Sequence, residues 1–147
     1  MRIPNLFFLI CTLVPLAFAN NVWAAKAQGE PAVLEQCSAY SQAEMHICLE
    51  KKSAESNETL RHAEKLAFSA LSKWDEDVKF INLAKAKLKA SSKAHEQYRA
   101  AQCAFVSSLG GGAIGNALEL RRLSCVVQLN VERAKRLDNE SANLPLK

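Results

Sequence analysis

Proline and glycine are absent from the whole stretch between Ser41 and Leu109, and the chain holds only four prolines and five glycines in all. These residues punctuate turns and break helices, so their absence argues against a fold of many short hairpins and leaves room for long helices. Histidine is scarce too: His46, His62 and His95 are the only three. None stands at a recognisable spacing from a serine or cysteine nucleophile. The chain has no Cys-x-x-Cys and no paired Cys/His spacing of the usual zinc kind. The carboxylates form no pattern of a glycosidase acid and nucleophile. Glu58 and His62 lie one helical turn apart, a spacing that an exposed ion pair explains more simply than a shared metal. Gly110-Gly111-Gly112 is followed by no lysine and preceded by no strand, which favours a helix-ending turn over a phosphate loop. The residues therefore point to a protein that is not an enzyme and uses no cofactor and no metal.

A long apolar run is also missing, except at the start. Arg2 stands before an apolar stretch from Leu6 to Phe18, followed by small-residue signals at Ala17-Phe18-Ala19 and Val22-Trp23-Ala24. That order reads as a secretory signal peptide over residues 1–24, too short to span a bilayer. Cys11 follows the bulky Ile10 inside the run and is removed with it rather than carrying a lipid. The expectation is a periplasmic or secreted bacterial protein with no stable membrane insertion after cleavage. The formal charge of +4 falls by one when Arg2 leaves. Basic and acidic residues look interspersed, so a solvated surface is expected and no nucleic-acid partner.

Cleavage leaves four cysteines, Cys37, Cys48, Cys103 and Cys125. An even number in a short exported chain favours disulfides over metal ligation. Three connectivities are open. The local one, Cys37 with Cys48 and Cys103 with Cys125, is preferred because each bridge then stays within one supersecondary unit. Cys103 and Cys125 also flank Gly110 to Gly112 almost symmetrically, as two antiparallel helices stapled across their connecting loop would require.

The expected fold is all-α, an antiparallel helical hairpin or small bundle of about three helices stapled by two disulfides. A loose segment is expected over residues 25–40, the helical domain over 41–137 and a fraying tail over 138–147. Ser41 with Glu44 has the capping-box spacing that starts a first helix. Leu60, Ala63, Ala67, Ala70 and Trp74 recur at helical spacing, and Asp75-Glu76-Asp77 offers a turn and an acidic start for a second helix. That helix carries a stripe from Ile81, Ala84 and Leu88 through Ser91, His95, Tyr98 and Gln102 to Phe105 and Leu109, apolar at both ends and polar in the middle. Asn116 with Glu119 caps a third helix, whose stripe includes Leu120, Leu123, Val127, Val131, Ala134 and Leu137.

If Cys103 faces Cys125, residues equally far from that level face each other. His95 then lies near Arg133, Tyr98 near Asn130 and Arg99 near Leu129. This groups His95, Tyr98, Arg99, Gln102, Asn130 and Arg133 into a polar network whose members hydrogen-bond to one another and fix the helix register.

Two segments carry a family resemblance. Glu96-Gln97-Tyr98-Arg99-Ala100-Ala101-Gln102-Cys103, Ser107-Ser108-Leu109-Gly110-Gly111-Gly112-Ala113-Ile114, then Cys125, Leu129, Glu132-Arg133 and Leu137 resemble the C-terminal signature of the lysozyme inhibitor LprI-like family. Gln42-Ala43-Glu44-Met45-His46-Ile47-Cys48 is similar to its N-terminal motif. The chain differs where the family usually has an Ala-Asp pair (here Ser56-Asn57), a tryptophan (here His95) and a threonine (here Asn130). The resemblance implies a small exported helical protein that binds a muramidase and blocks it without catalysis; the alternative is a non-inhibitory envelope assembly or stress-associated binding protein. The expected contact surface is the loop of Gly110, Gly111, Gly112, Ile114 and Asn116 with Arg121 and Arg122, because a disulfide-fixed loop loses little entropy on binding.

Overall fold

The computed structural model describes residues 30–113 and 115–147. The expected leader at 1–24, residues 25–29 of the expected loose segment, and Ile114 lie outside the described residues. Among the described residues four helices follow one another, α1 (Glu30–Glu35), α2 (Gln42–Lys73), α3 (Val78–Ser108) and α4 (Ala117–Ala142). The three long ones form the expected all-α bundle. Both disulfides join the local pairs, Cys37 to Cys48 and Cys103 to Cys125.

Helix ends follow from particular side chains. The Ser41 hydroxyl accepts from the Glu44 amide while Glu44 Oε2 accepts from the Ser41 amide at 3.1 Å and from its hydroxyl at 2.7 Å. These bonds favour the carboxylate and hold Glu44 below the usual carboxyl pKa. At the next junction Asp77 Oδ1 accepts from the Lys79 amide at 2.9 Å, which opens α3 directly after the Asp75–Asp77 turn. The start of α4 departs from expectation. Asn116 is its N-cap but makes no side-chain capping bond. Glu119, needed to complete the cap, instead accepts two bonds from Arg122, at 2.7 and 2.5 Å.

The core comes in two apolar clusters. In one, Leu49 at the start of α2 packs with Leu120, Leu123 and Val127 at the start of α4, beneath Val33 and Cys37. In the other, Leu60, Ala63 and Ala67 from farther along α2 meet Ala134 and Leu137 from farther along α4, with Leu88 of α3 against them. The two helices therefore run parallel, and α3 returns antiparallel between their ends. Alanines at 63, 67 and 134 let the backbones approach closely. Full burial of a side chain such as Leu49, fully buried here, stabilises by roughly 1.5–3 kcal/mol.

Within the two segments expected to be loose, some described residues have regular structure. A short helix occupies Glu30–Glu35, and its Val33 joins the core. The last ten residues do not fray. Helix α4 continues through Ala142, Leu146 bridges to Trp74, Asp75 N donates to Pro145 O at 2.8 Å, and Lys147 N donates to Lys73 O at 3.0 Å. The final turn of α2 thereby has one of its free carbonyls satisfied.

The stripe expected along α3 is buried only at its beginning. Ile81 is buried and Leu88 half-buried, but Tyr98, Phe105 and Leu109 are 55%, 56% and 60% exposed. A stripe spaced at alternating threes and fours repeats every seven residues, and a straight helix drifts about 20° per heptad against such a repeat, so about 80° accumulates between Ile81 and Leu109. The covered line runs instead through Leu88, Ser92, His95, Arg99 and Cys103.

The polar waist and the loop end of the bundle

Between the two apolar clusters the three long helices meet through polar side chains. Asn130 of α4 is fully buried. Its Nδ2 donates to Ser56 Oγ at 2.9 Å and to Asn57 Oδ1 at 3.1 Å, both on α2. Arg99 of α3 donates from Nη1 to Asn57 Oδ1 at 3.1 Å and to Asn130 Oδ1 at 2.5 Å. Four side chains from three helices thus satisfy one another where no water reaches the centre, which fixes helix register.

One turn away, His95 is half-buried and its Nε2 has no hydrogen-bond partner. Burial lowers its pKa below 6.5, and the charges of Arg133, Arg99 and Arg136 lower it further against an opposing contribution from Glu64. Arg133 itself donates from Nη2 to Ser91 Oγ at 2.8 Å.

Of the six residues expected in one network, Arg99 and Asn130 bond directly, while Arg133 bonds to Ser91 and reaches His95 through its charge alone. Tyr98 is exposed and outside the network, and the half-buried Gln102 side chain makes no hydrogen bond among the described residues. The drift of the α3 stripe explains both: the line facing α4 passes through Arg99 and Cys103 rather than Tyr98 and Gln102. Ser56 and Asn57 were missed. The available signal was their place in the polar Lys51 to Thr59 run, where the resembled family has a different pair.

At the far end of α3 the glycine loop is a fixed turn. Ser107 Oγ donates to Leu118 O at 2.8 Å, tying the end of α3 to the start of α4. Gly111 and Gly115 have φ of 56° and 70°, the left-handed region that favours glycine. A Cβ on Gly110 would collide with the Leu118 side chain and come within 3.6 Å of Arg121 Cδ. Gly112 and Asn116 are exposed. Arg121 and Arg122 are half-buried on the first turns of α4, and the bidentate pair with Glu119 raises the pKa of Arg122 and lowers that of Glu119. Arg122 therefore offers a partner less uncompensated charge than its sequence position implies.

No group of three or more histidine, cysteine or carboxylate side chains that could hold a metal is found among the described residues. Glu58, considered with His62, accepts from Arg61 at 2.6 Å instead. Cys37, Cys48, Cys103 and Cys125 are all in disulfides.

A family model described as Lysozyme inhibitor LprI matches residues 35–137, from just before the first disulfide to the last buried leucine of α4. No curated protein and no solved structure matches the chain. The matched span covers most of the sequence and includes both bridges, so the chain belongs to the lysozyme inhibitor LprI family.

Proposed function

We propose that the mature protein is an exported, non-catalytic inhibitor that binds a lysozyme-type muramidase one to one and occludes its substrate cleft. The family match over residues 35–137 carries this reading. The leader-like sequence of residues 1–24 supports a periplasmic or secreted location. The scaffold suits an inhibitor, since two disulfides and the polar waist hold the helices in one register and little order has to be gained on binding. The contact surface centres on the loop from Gly110 to Asn116 with Arg121 beside it. Muramidases of the usual kind cleave between two carboxyl groups, and a basic side chain at the start of α4, beside the loop, is suited to lie toward them.

The test is peptidoglycan lysis by a panel of animal, phage and bacterial muramidases, with disulfide-bonded mature protein in excess. At least one enzyme should be slowed, with saturation near a one-to-one ratio and no consumption of the inhibitor. Replacement of residues 110–116 by an unrelated turn of the same length should weaken that inhibition. No effect on any member of the panel would leave the non-inhibitory envelope-binding role as the better account.

A further inference from the structure

The interspersion of charges expected from the sequence fails in one helix. Helix α2 has five basic and five acidic side chains, and α4 has five and four. Helix α3 has Lys79, Lys85, Lys87, Lys89, Lys93 and Arg99 against Glu96 alone. The positive balance of the described chain therefore sits on one element. It is also the least covered of the three long helices, with only Ile81 and Cys103 buried.

Its lysines are not neutralised at home. The ion pairs found among the described residues, His46–Glu50, Lys51–Glu55, Glu58–Arg61 and Glu119–Arg122, lie within α2 or α4. Besides Glu96 of the same helix, one turn from Lys93, and Asp77 beside Lys79, the acids that share a shallow groove with an α3 lysine are Glu64 of α2 with Lys89 and Glu140 of α4 with Lys87. Neither makes an ion pair with an α3 lysine. The acidic turn at Asp75–Asp77 precedes the helix, and Lys87 lies ten residues past Asp77, about 15 Å along the axis, beyond a physiological screening length of about 8 Å. Lys85 and Lys89 lie over the Phe68 ring at 5.0 and 5.3 Å, which pins α3 to α2 and leaves Lys79, Lys87 and Lys93 exposed.

Beyond Lys93 the same helix has no lysine and bares large apolar side chains among Glu96, Gln97 and Ser108, as its first half does at Val78, Phe80 and Leu83. Tyr98, Phe105 and Leu109 are each more than half exposed, and their spacings of seven and four place them on one flank. That flank ends at the Gly110–Asn116 loop. By contrast, the groove between α1, α2 and α4 sets Lys52 and Lys135 against Glu55 and Glu132 and has no net sign.

We propose that α3 extends the muramidase-binding surface, with its lysine-rich half meeting an acidic surface of the partner and Tyr98, Phe105 and Leu109 supplying the apolar contact next to the loop. This rests on the inhibitor reading above. It restricts the target class to muramidases of acidic surface, because a basic enzyme would be repelled by the same helix. The cations set the association rate, and the apolar flank sets how long the complex lasts.

The experiment measures association and dissociation of the disulfide-bonded mature protein with one acidic and one basic muramidase, at low and high salt. Two charge reversals of equal size are compared, Lys87→Glu with Lys93→Glu on α3, and Lys51→Glu with Lys135→Glu on the far side. Unchanged helix content by circular dichroism and absence of free thiol establish that each variant is folded. The expected result is preference for the acidic enzyme and a fall in association rate of about tenfold or more at low salt for the α3 pair. The far-side pair should change little, and the difference should shrink at high salt. Tyr98→Ser with Phe105→Ser should instead speed dissociation. Equal effects of the two reversals, or tighter binding to the basic enzyme, would overturn the α3 assignment while leaving inhibition intact. Binding to neither enzyme would overturn the inhibitor reading itself. Loss of binding to phosphatidylglycerol vesicles in the α3 pair, with muramidase binding unaltered, would make the helix a membrane-surface contact instead.

Discussion

Arg99 on α3 donates to the Oδ1 of Asn130 on α4 across the level where the two apolar clusters of the bundle separate. Asn130 in turn donates to Ser56 and Asn57 on α2, so a single buried amide is the point through which all three long helices are aligned. The arrangement trades apolar burial at the waist for register. Sliding α4 by one residue would leave Asn130 buried without partners, and sliding α2 or α3 would break its bonds to Ser56 and Asn57 or to Arg99.

Removing either side of that contact should therefore cost more than its exposure alone implies. Arg99→Ala and Asn130→Ala should each destabilise by roughly 1–3 kcal/mol, because the remaining groups stay buried with bonds unmade. Tyr98→Ala, one residue away but 55% exposed, should stay within about 0.5 kcal/mol. Urea unfolding monitored by circular dichroism distinguishes these, provided the slope is unchanged. Equal losses at positions 98 and 99 would place Tyr98 back inside the network.

A pH dependence follows from His95. Its folded-state pKa is lowered, first by burial and then by Arg133 and Arg99, so the native state resists protonation that the unfolded chain accepts near 6.5. The unfolded state then binds more protons, and stability rises with pH through this window. The contribution is fully present above the unfolded pKa and declines as pH falls from about 7 until the folded pKa is passed, after which it is flat. The difference in urea midpoint between wild type and His95→Phe, followed from pH 8 to 5, should move in the variant's favour with acidification. A difference independent of pH would show that His95 is not held neutral.

The helices were legible because their boundaries rest on local chemistry: Ser41 with Glu44, the Asp75–Asp77 turn and the glycine break each act within a few residues of themselves. The disulfide pairing was legible for the same reason, both bridges being local. The network was legible only in part. Arg99 and Asn130 stood out as polar residues in apolar stripes, but their partners Ser56 and Asn57 sit more than seventy residues from Asn130, and no local pattern marks small polar side chains as buried. The misplacement of Tyr98 has a different cause, the slow rotation of a heptad stripe around a straight helix. The docked C-terminus was invisible because Trp74 and Leu146 meet through backbone bonds, which any residue pair can make.

Helix α3 depends on its staple more than its neighbours do. The Cys103–Cys125 bridge closes a loop with a sequence separation of 22, against 11 for Cys37–Cys48, and the chain-entropy relation assigns bridges of these sizes about 3 kcal/mol each, slightly more for the longer. The larger difference should come from the native state, since α3 buries only Ile81 besides Cys103. Cys103→Ala with Cys125→Ala should lower amide-exchange protection in the second half of α3 before that of α2 or α4. Cys37→Ala with Cys48→Ala should leave α3 protection nearly unchanged. Uniform loss of protection across all helices in the first variant would show that α3 does not open separately.

The glycines of the loop should separate by conformation and by space. Gly111 has a φ of 56° with nothing near its missing Cβ, so Gly111→Ala is strained by its backbone alone and should cost on the order of 1 kcal/mol. Gly112 has neither a left-handed φ nor a neighbour within 4 Å. Gly112→Ala should therefore be neutral or stabilise by a few tenths of a kcal/mol through the unfolded chain. Gly110→Ala lies between them: its Cβ meets the flexible Leu118 side chain, which can turn away, and Ser107 O at 3.3 Å, which is backbone held by the end of α3. Its cost should appear as a shift in stability together with a weaker Ser107-to-Leu118 tie. If the loop is the muramidase contact, Gly112→Ala is the informative variant, because it adds a methyl to the surface with the fold intact; weaker inhibition at unchanged thermal stability would assign Gly112 to the interface, and unchanged inhibition would move the contact along α3.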